Sequence, residues 1–209
     1  MKRLLVLFFC VTSLVFFFSS DSLAADNYIV VKAGIYSPQS DDLEEFDNGF
    51  NGEVAFGHYF NRNFAIEFGV GYFGTEGNEP VTLITTRGFL VPGTANAEID
   101  VMPVTLALKG IIPVDKAELY VLGGIGAYFA SVDITATSPV AAGSLNYSDD
   151  DVAFGGFLGV GGNFNITNQF FIGVEAKYLW AQASWELDGD KEDVDLDGWT
   201  FTGNLGFRF

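Results

Sequence analysis

The sequence predicts an all-β protein, a closed antiparallel up-and-down transmembrane β-barrel of about eight strands. Three observations predict it. A short apolar leader opens the chain and ends in small residues. The remainder places apolar side chains at every second position, and none of its apolar stretches reaches the ~20 residues a spanning helix needs. Residues 1–25 are thus expected to form a cleaved signal peptide, and 26–209 a single barrel domain.

Lys2 and Arg3 precede an apolar run from Leu4 to Phe18, which gives way to polar Ser19–Ser22 and the small-residue site Leu23-Ala24-Ala25. Basic, apolar and small segments in that order are an export signal, and the run is too short for a membrane anchor. Cys10, the only cysteine, follows Phe9 inside the run, whereas lipidation wants a small residue there and a later position. Processing would leave no thiol, so no disulfide supports the fold. Removing Lys2, Arg3 and Asp21 takes the formal net charge from −17 to −18. Phosphate backbones need a basic face, which excludes nucleic acid as a partner.

The strands read in order. Tyr28–Tyr36 sets Ile29, Val31, Ala33 and Ile35 against an inward Lys32. The second turns Phe50, Val54, Phe56 and Phe60 outward, with Asn51, Glu53, Ala55 and Gly57 inward. The third places Phe64, Ile66, Phe68, Val70 and Tyr72 outside and Ala65, Glu67, Gly69 and Gly71 inside. In the fourth, Glu98–Gly110, Ile99 and Val101 share one parity, while Val104, Leu106 and Leu108 share the other. A bulge at Met102-Pro103 would restore the apolar face and turn Asp100, Thr105 and Lys109 inward. Leu119–Ile134 is glycine-rich, with its facing open. Val152–Phe164 alternates Val152, Phe154, Leu158 and Val160 with Ala153, Gly155, Gly159 and Gly161. The seventh opposes Ile172, Val174, Ala176, Tyr178 and Trp180 to Gly173, Glu175 and Lys177. The last opposes Trp199, Phe201, Gly203, Leu205, Phe207 and Phe209 to Thr200, Thr202, Asn204, Gly206 and Arg208.

Short connections (61–63, 113–118, 165–169) alternate with long ones (37–48, 74–97, 135–150, 187–197), as in a meander with periplasmic turns and extracellular loops. Val81–Val91 is apolar enough to extend a strand or add a hairpin. Tyr72, Trp180, Trp185 and Trp199 near the loops, with Tyr59, Phe60, Phe64 and Phe209 near the turns, would form two aromatic girdles. An unpaired strand edge in hydrocarbon leaves amides without water, so the sheet must close.

Three segments carry a resemblance: Pro103-Val104-Thr105-Leu106, Tyr120-Val121-Leu122-Gly123-Gly124-Ile125-Gly126, and the terminal Phe207-Arg208-Phe209. With these the chain resembles the small outer-membrane β-barrels that include the OmpA transmembrane domain, the opacity-type adhesins and the OmpW group of porin-like proteins. The resemblance implies a Gram-negative outer membrane, contact with its lipid and lipopolysaccharide, and a monomer. It also implies periplasmic chaperones and a barrel-assembly machinery that reads Phe207 and Phe209. The glycine of that signal stands at Gly203, one residue early, and with 26–209 read as barrel alone the resemblance implies no cell-wall anchoring.

Lys32, Glu53, Glu67, Lys109, Glu175, Lys177 and Arg208 are the expected lumen charges. An eight-stranded barrel is just filled by side chains, so a charge-paired plug is favoured over a conducting path. The single histidine, His58, has outward parity beside Tyr59 and Phe60 with no serine within two residues on its strand, which argues against the histidine–serine chemistry of lipid A-modifying barrels. Asp41, Asp42, Glu44, Glu45 and Asp47, and the acids from Glu186 to Asp197, give strongly acidic loops. Asp193, Asp195 and Asp197 with Gly198 match the start of a calcium loop, but Asn204 stands where its closing glutamate belongs. The expectation is no cofactor, with weak Ca2+ or Mg2+ binding at those aspartates as the sharper reading. The functional expectation is a non-enzymatic envelope or surface-contact protein. The alternatives are a narrow channel for small or hydrophobic solutes and, third, a lipid A-modifying enzyme.

Overall fold

A computed structural model describes residues 26–40, 43, 46–84, 90–137, 144–187 and 190–209. The proposed leader, and Asp41, Asp42, Glu44 and Glu45, lie outside the described residues. Nine strands follow one another: β1 (Asn27–Pro38), β2 (Gly49–Asn61), β3 (Phe64–Ile84), β4 (Leu90–Val114), β5 (Ala117–Thr137), β6 (Ser144–Asn165), β7 (Phe170–Leu187), β8 (Asp190–Asp195) and β9 (Gly198–Arg208). Every pairing is antiparallel between neighbours, and β9 closes the circle by pairing with both β1 and β7. The wall is therefore eight-stranded. β8 and β9 act as one bent strand, because Gln182↔Asp195 and Leu179↔Gly198 keep one register along β7. At the bend Leu196 donates its N–H to the Ala181 carbonyl (2.7 Å), and the Asp197 carboxylate accepts the Ala181 N–H (3.2 Å).

The turn ends are set by local side chains. Asn61 Oδ1 accepts the N–H groups of Asn63 and Phe64, and Thr167 Oγ1 those of Gln169 and Phe170. Asp115 adopts φ 52°, so the β4–β5 turn is only Asp115-Lys116 and Glu118 stands inside β5.

Alternation holds around the wall. Phe154 (79 % exposed), Ile125 (69 %) and Val174 (68 %) face outward, where only lipid can cover such apolar area. Three inward aromatic rings lie on glycines of the neighbouring strand, each on its own rung: Tyr28 on Gly57, Tyr120 on Gly161 and Phe171 on Gly206. A Cβ at any of these glycines would overlap the ring, so the small inward residues exist to admit large ones across the seam.

Four sequence-based expectations need correction. No bulge occurs at Met102-Pro103: the β4–β5 register runs unbroken through Met102↔Phe129 and Pro103↔Tyr128. Ile99 and Val101 point inward on the same parity as Thr105 and Lys109, and Asp100 points outward. The outer half of the lumen is apolar, so an apolar residue there faces in without any change of phase. Tyr59 belongs to the lumen, where it packs on Tyr28 at 5.1 Å, instead of the girdle. The stretches read as long loops, 74–97 and 135–150, are mostly strand, since β3–β4 and β5–β6 continue as paired arms to Ile84↔Leu90 and Thr137↔Ser144.

Candidate functional site

The lumen holds the densest chemistry. β1 turns Tyr28, Lys32 and Tyr36 inward, and the facing residues of β2, β3, β4 and β7 supply Glu53, Glu67, Lys109, Glu175 and Lys177, all buried. Lys32 Nζ lies 2.7 Å from Glu53 Oε1, 2.8 Å from Glu67 Oε1 and 3.0 Å from Glu175 Oε1. Lys177 pairs with the other oxygen of Glu53 (2.8 Å), and Lys109 with the other oxygen of Glu67 (2.6 Å). Three ammonium groups thus alternate with three carboxylates, and the chain Lys177–Glu53–Lys32–Glu67–Lys109 with Glu175 is electrically balanced. Tyr28 donates to Glu67 (2.8 Å), Tyr120 to Glu175 (3.0 Å), and Asn204 Nδ2 to the Tyr120 hydroxyl (3.2 Å). Burial of so many charges is tolerable only when each keeps such partners.

Two layers flank this chain. Toward the turns, Arg208 bridges Glu118 (2.8 Å), Asn165 (2.7 Å) and the Tyr59 hydroxyl (3.3 Å), with its guanidinium 4.6 Å from the Phe171 ring centre. Toward the loops, Tyr36 and Phe73 pack with their rings tilted and centroids 4.4 Å apart, and Val101, Tyr128, Leu179 and Leu196 are buried in the same apolar cluster. The Tyr36 hydroxyl donates to the Leu196 carbonyl (2.9 Å), and Leu43 of the first loop is buried with this cluster.

All seven expected lumen charges point inward. Glu118, Tyr28 and Tyr120 complete the network and were not singled out from the sequence, while Asn204, read there as inward, joins it through the Tyr120 hydroxyl. The outward set Leu119, Val121, Ile125 and Phe129 would have fixed the parity of β5 and revealed Glu118 and Tyr120. Phe209 turns outward and stacks on Phe207 (6.2 Å), and its main chain pairs with Asn27, sealing the β1–β9 seam.

His58 also faces outward, with Nδ1 2.9 Å from Asn27 Oδ1 and its ring edge-on to Phe60. No serine is among these partners. Asp193 and Asp195 lie in extended β8 opposite Ser184 and Gln182, where a calcium loop would curl. Asp195 Oδ1 accepts from Gln182 Nε2 (3.0 Å) and Asp197 caps Ala181, while the side chains of Asp193 and Trp185 lie outside the described residues. Among the described residues, no group of three or more acidic, histidine or cysteine side chains is placed to hold a metal.

Outside the lumen, Trp180 and Trp199 flank Tyr178, forming part of the loop-side girdle. Tyr72 belongs to the same belt and donates to Asp100 (2.6 Å).

Comparison with solved structures gives the same wall at low identity. Neisserial surface protein A is similar over 90% of this chain and 100% of its own, at 13% identity and a TM-score of 0.54. OprG from Pseudomonas aeruginosa is similar over 89% and 97%, at 17% identity and 0.52. A major outer membrane protein from Thermus thermophilus is similar over 90% and 100%, at 14% identity and 0.52. No curated protein sequence matches. The profile of the outer membrane protein beta-barrel domain matches residues 4–209, nearly the whole chain, and with the closed eight-stranded wall and its lipid-facing belt the chain belongs to that family.

Proposed function

We propose that the chain is a non-enzymatic, non-conducting protein of the bacterial outer membrane, a sealed monomeric barrel that carries acidic strand arms above the lipid for surface contact. One observation carries the reading: Lys32, at the centre of the lumen, is held by three carboxylates, and an apolar layer around Tyr36 and Phe73 roofs it. A hydrated ion crossing this lumen would have to part both layers. The outward position of His58, paired with Asn27, supports the absence of a nucleophile–base set on that strand.

The test is a planar-bilayer recording of the refolded protein, in which no unitary steps are expected. Stable steps whose size changes in Glu67→Gln or Lys177→Met would overturn the reading in favour of a narrow channel. A change in the lipid A profile of the host membrane that disappears in His58→Ala would overturn it in favour of an enzyme.

A further inference from the structure

The outer face of the wall carries a groove of about 730 Å3 at its turn end, spanning β3, β4, β5 and β6. Two rungs build it. Phe64, Gly110, Val121 and Val160 lie side by side on one, and Ile112 pairs with Leu119 on the next toward the turns. All six are outward positions, so the inward-facing Ile111 and Tyr120 give only main chain to the floor. Gly110 is the one member of the first rung with no side chain, and it opens the groove. A Cβ there would meet nothing nearer than Val121 Cγ2 at 3.5 Å. The volume falls in the usual range of a small-ligand site.

The rim beside this groove is basic on an otherwise acidic protein. Among the described residues, Lys32, Lys109, Lys177 and Arg208 face the lumen and Lys191 stands in β8, while the other two bases, Arg62 and Lys116, are exposed on the turns that bracket the groove. The Asn63 carbonyl accepts the Ile111 N–H (2.7 Å) and Asn63 Nδ2 donates to the Ile111 carbonyl (3.0 Å), which clasps the Arg62 turn against β4 at the groove's edge. The β4–β5 hairpin runs on from Ile111 to Val114 before it turns, so its tip stands about 10 Å farther along the strand than Asn63. The Lys116 carbonyl holds the Asn165 N–H (2.8 Å) and fixes that tip on the β6 side. Neither base makes an ion pair among the described residues, and Asp115 is the one acid on these two turns.

Charge and depth together select the occupant. An apolar groove on the lipid face is filled by hydrocarbon, and unpaired cations at its rim fit a phosphodiester, with their long stems lying along the apolar wall and their heads at phosphate level. A second copy packed face to face through the same patch would set Arg62 and Lys116 against their own counterparts, a like-charge contact. We infer that the groove is a binding site for one anionic glycerophospholipid of the turn-side leaflet, with an acyl chain lying over Gly110 between Phe64 and Val121 and the phosphate held by Arg62 and Lys116. The inference is independent of whether the lumen conducts.

The test is native mass spectrometry of the refolded barrel in detergent, titrated with dioleoylphosphatidylglycerol or with zwitterionic dioleoylphosphatidylcholine. One phosphatidylglycerol should be retained per barrel, with an apparent Kd about 30-fold below that of phosphatidylcholine, the preference two cations near an anionic headgroup should give. Arg62→Gln and Lys116→Gln should each remove about fivefold of that preference. Gly110→Leu fills the groove and should abolish the one-lipid peak, while Gly203→Leu, the same addition on an exposed glycine of β9, should leave it intact. Folded gel mobility identifies any variant that fails to fold, and the two charge variants, on exposed turns, decide the matter if Gly110→Leu is one. Four results would overturn the inference: equal retention of the two lipids, the same loss from Gly203→Leu as from Gly110→Leu, competition by glycerol phosphate as strong as by the whole lipid, or a dimer of the barrel in place of the lipid-bound peak.

Discussion

Lys32 and Glu53 face each other on one rung of β1 and β2, with 2.7 Å between Nζ and Oε1. The strand register itself places them together, while Glu67 and Glu175 reach Lys32 from farther around the wall. Lys32→Met would leave three buried carboxylates with only Lys109 and Lys177 to balance them. Breaking a buried pair by removing one partner costs about 3–5 kcal/mol, and Lys32→Met should reach that range. Glu175→Gln should cost less, about 1–3 kcal/mol, since Lys32 keeps two carboxylates and the amide still accepts from Tyr120. Urea midpoints of the refolded barrel, read from the gel mobility of folded and unfolded forms, rank the two; equal losses would refute the central place given to Lys32.

The two lumen layers block passage independently. Opening the apolar roof with Phe73→Ala leaves the ion chain shut, and disrupting the chain with Lys32→Met leaves Tyr36, Val101, Tyr128 and Leu179 packed above it. Each single variant should be silent in planar bilayers, and only Phe73→Ala combined with Lys32→Met should show steps. Conductance from Phe73→Ala alone would mean that the ion chain yields to water.

Much of this was legible in the chain. The outward faces of β2, β3, β7 and β9 follow from simple alternation, because lipid demands apolar side chains at every other position. The errors of facing have one physical source, the premise that an inward residue is small or polar. Ile99, Val101 and Tyr59 break that premise because the lumen is filled by apolar and aromatic packing at its ends and by charge only at its middle. Glu118 was missed because a two-residue turn at Asp115-Lys116 starts β5 earlier than proline and acidic residues suggested. The paired arms above the membrane escaped because, with water on both faces, a strand such as Glu76–Asn78 has no apolar face to announce it.

The glycine seats give a sharper contrast. At Gly57 a Cβ would overlap the Tyr28 ring, and moving that ring would break its bond to Glu67. At Gly203 the nearest atom to a Cβ is the Ala33 carbonyl oxygen, at 3.9 Å. Gly57→Ala should therefore destabilise the barrel by about 1–3 kcal/mol, the usual cost of overpacking, while Gly203→Ala should be neutral or better. Both are read from unfolding midpoints in one detergent, and equal effects would contradict the inward and outward assignments.

Above the girdle, Glu76, Glu98 and Asp133 occupy one rung across β3, β4 and β5, with Asp100 two residues along from Glu98. Repulsion from Asp100, and then partial burial and the carboxylates of Glu76 and Asp133, push the Glu98 carboxyl above its usual range. Its affinity for a proton is greater in the folded arm than in an unfolded one. Between the ordinary carboxylate value and the raised one, the folded state binds more protons, so stability of the arm rises as pH falls through that window. Above the window the repulsion is fully present and pH has no further effect through this group. Amide exchange at residues 96–100, corrected for intrinsic rates, should accordingly be slower at about pH 4.5 than at about pH 7. Because Glu98 is well exposed, salt should shrink the difference. Glu98→Gln should give the slow rates already at neutral pH and show no pH step of its own; a step that survives in that variant would assign the titration to another carboxylate on the rung.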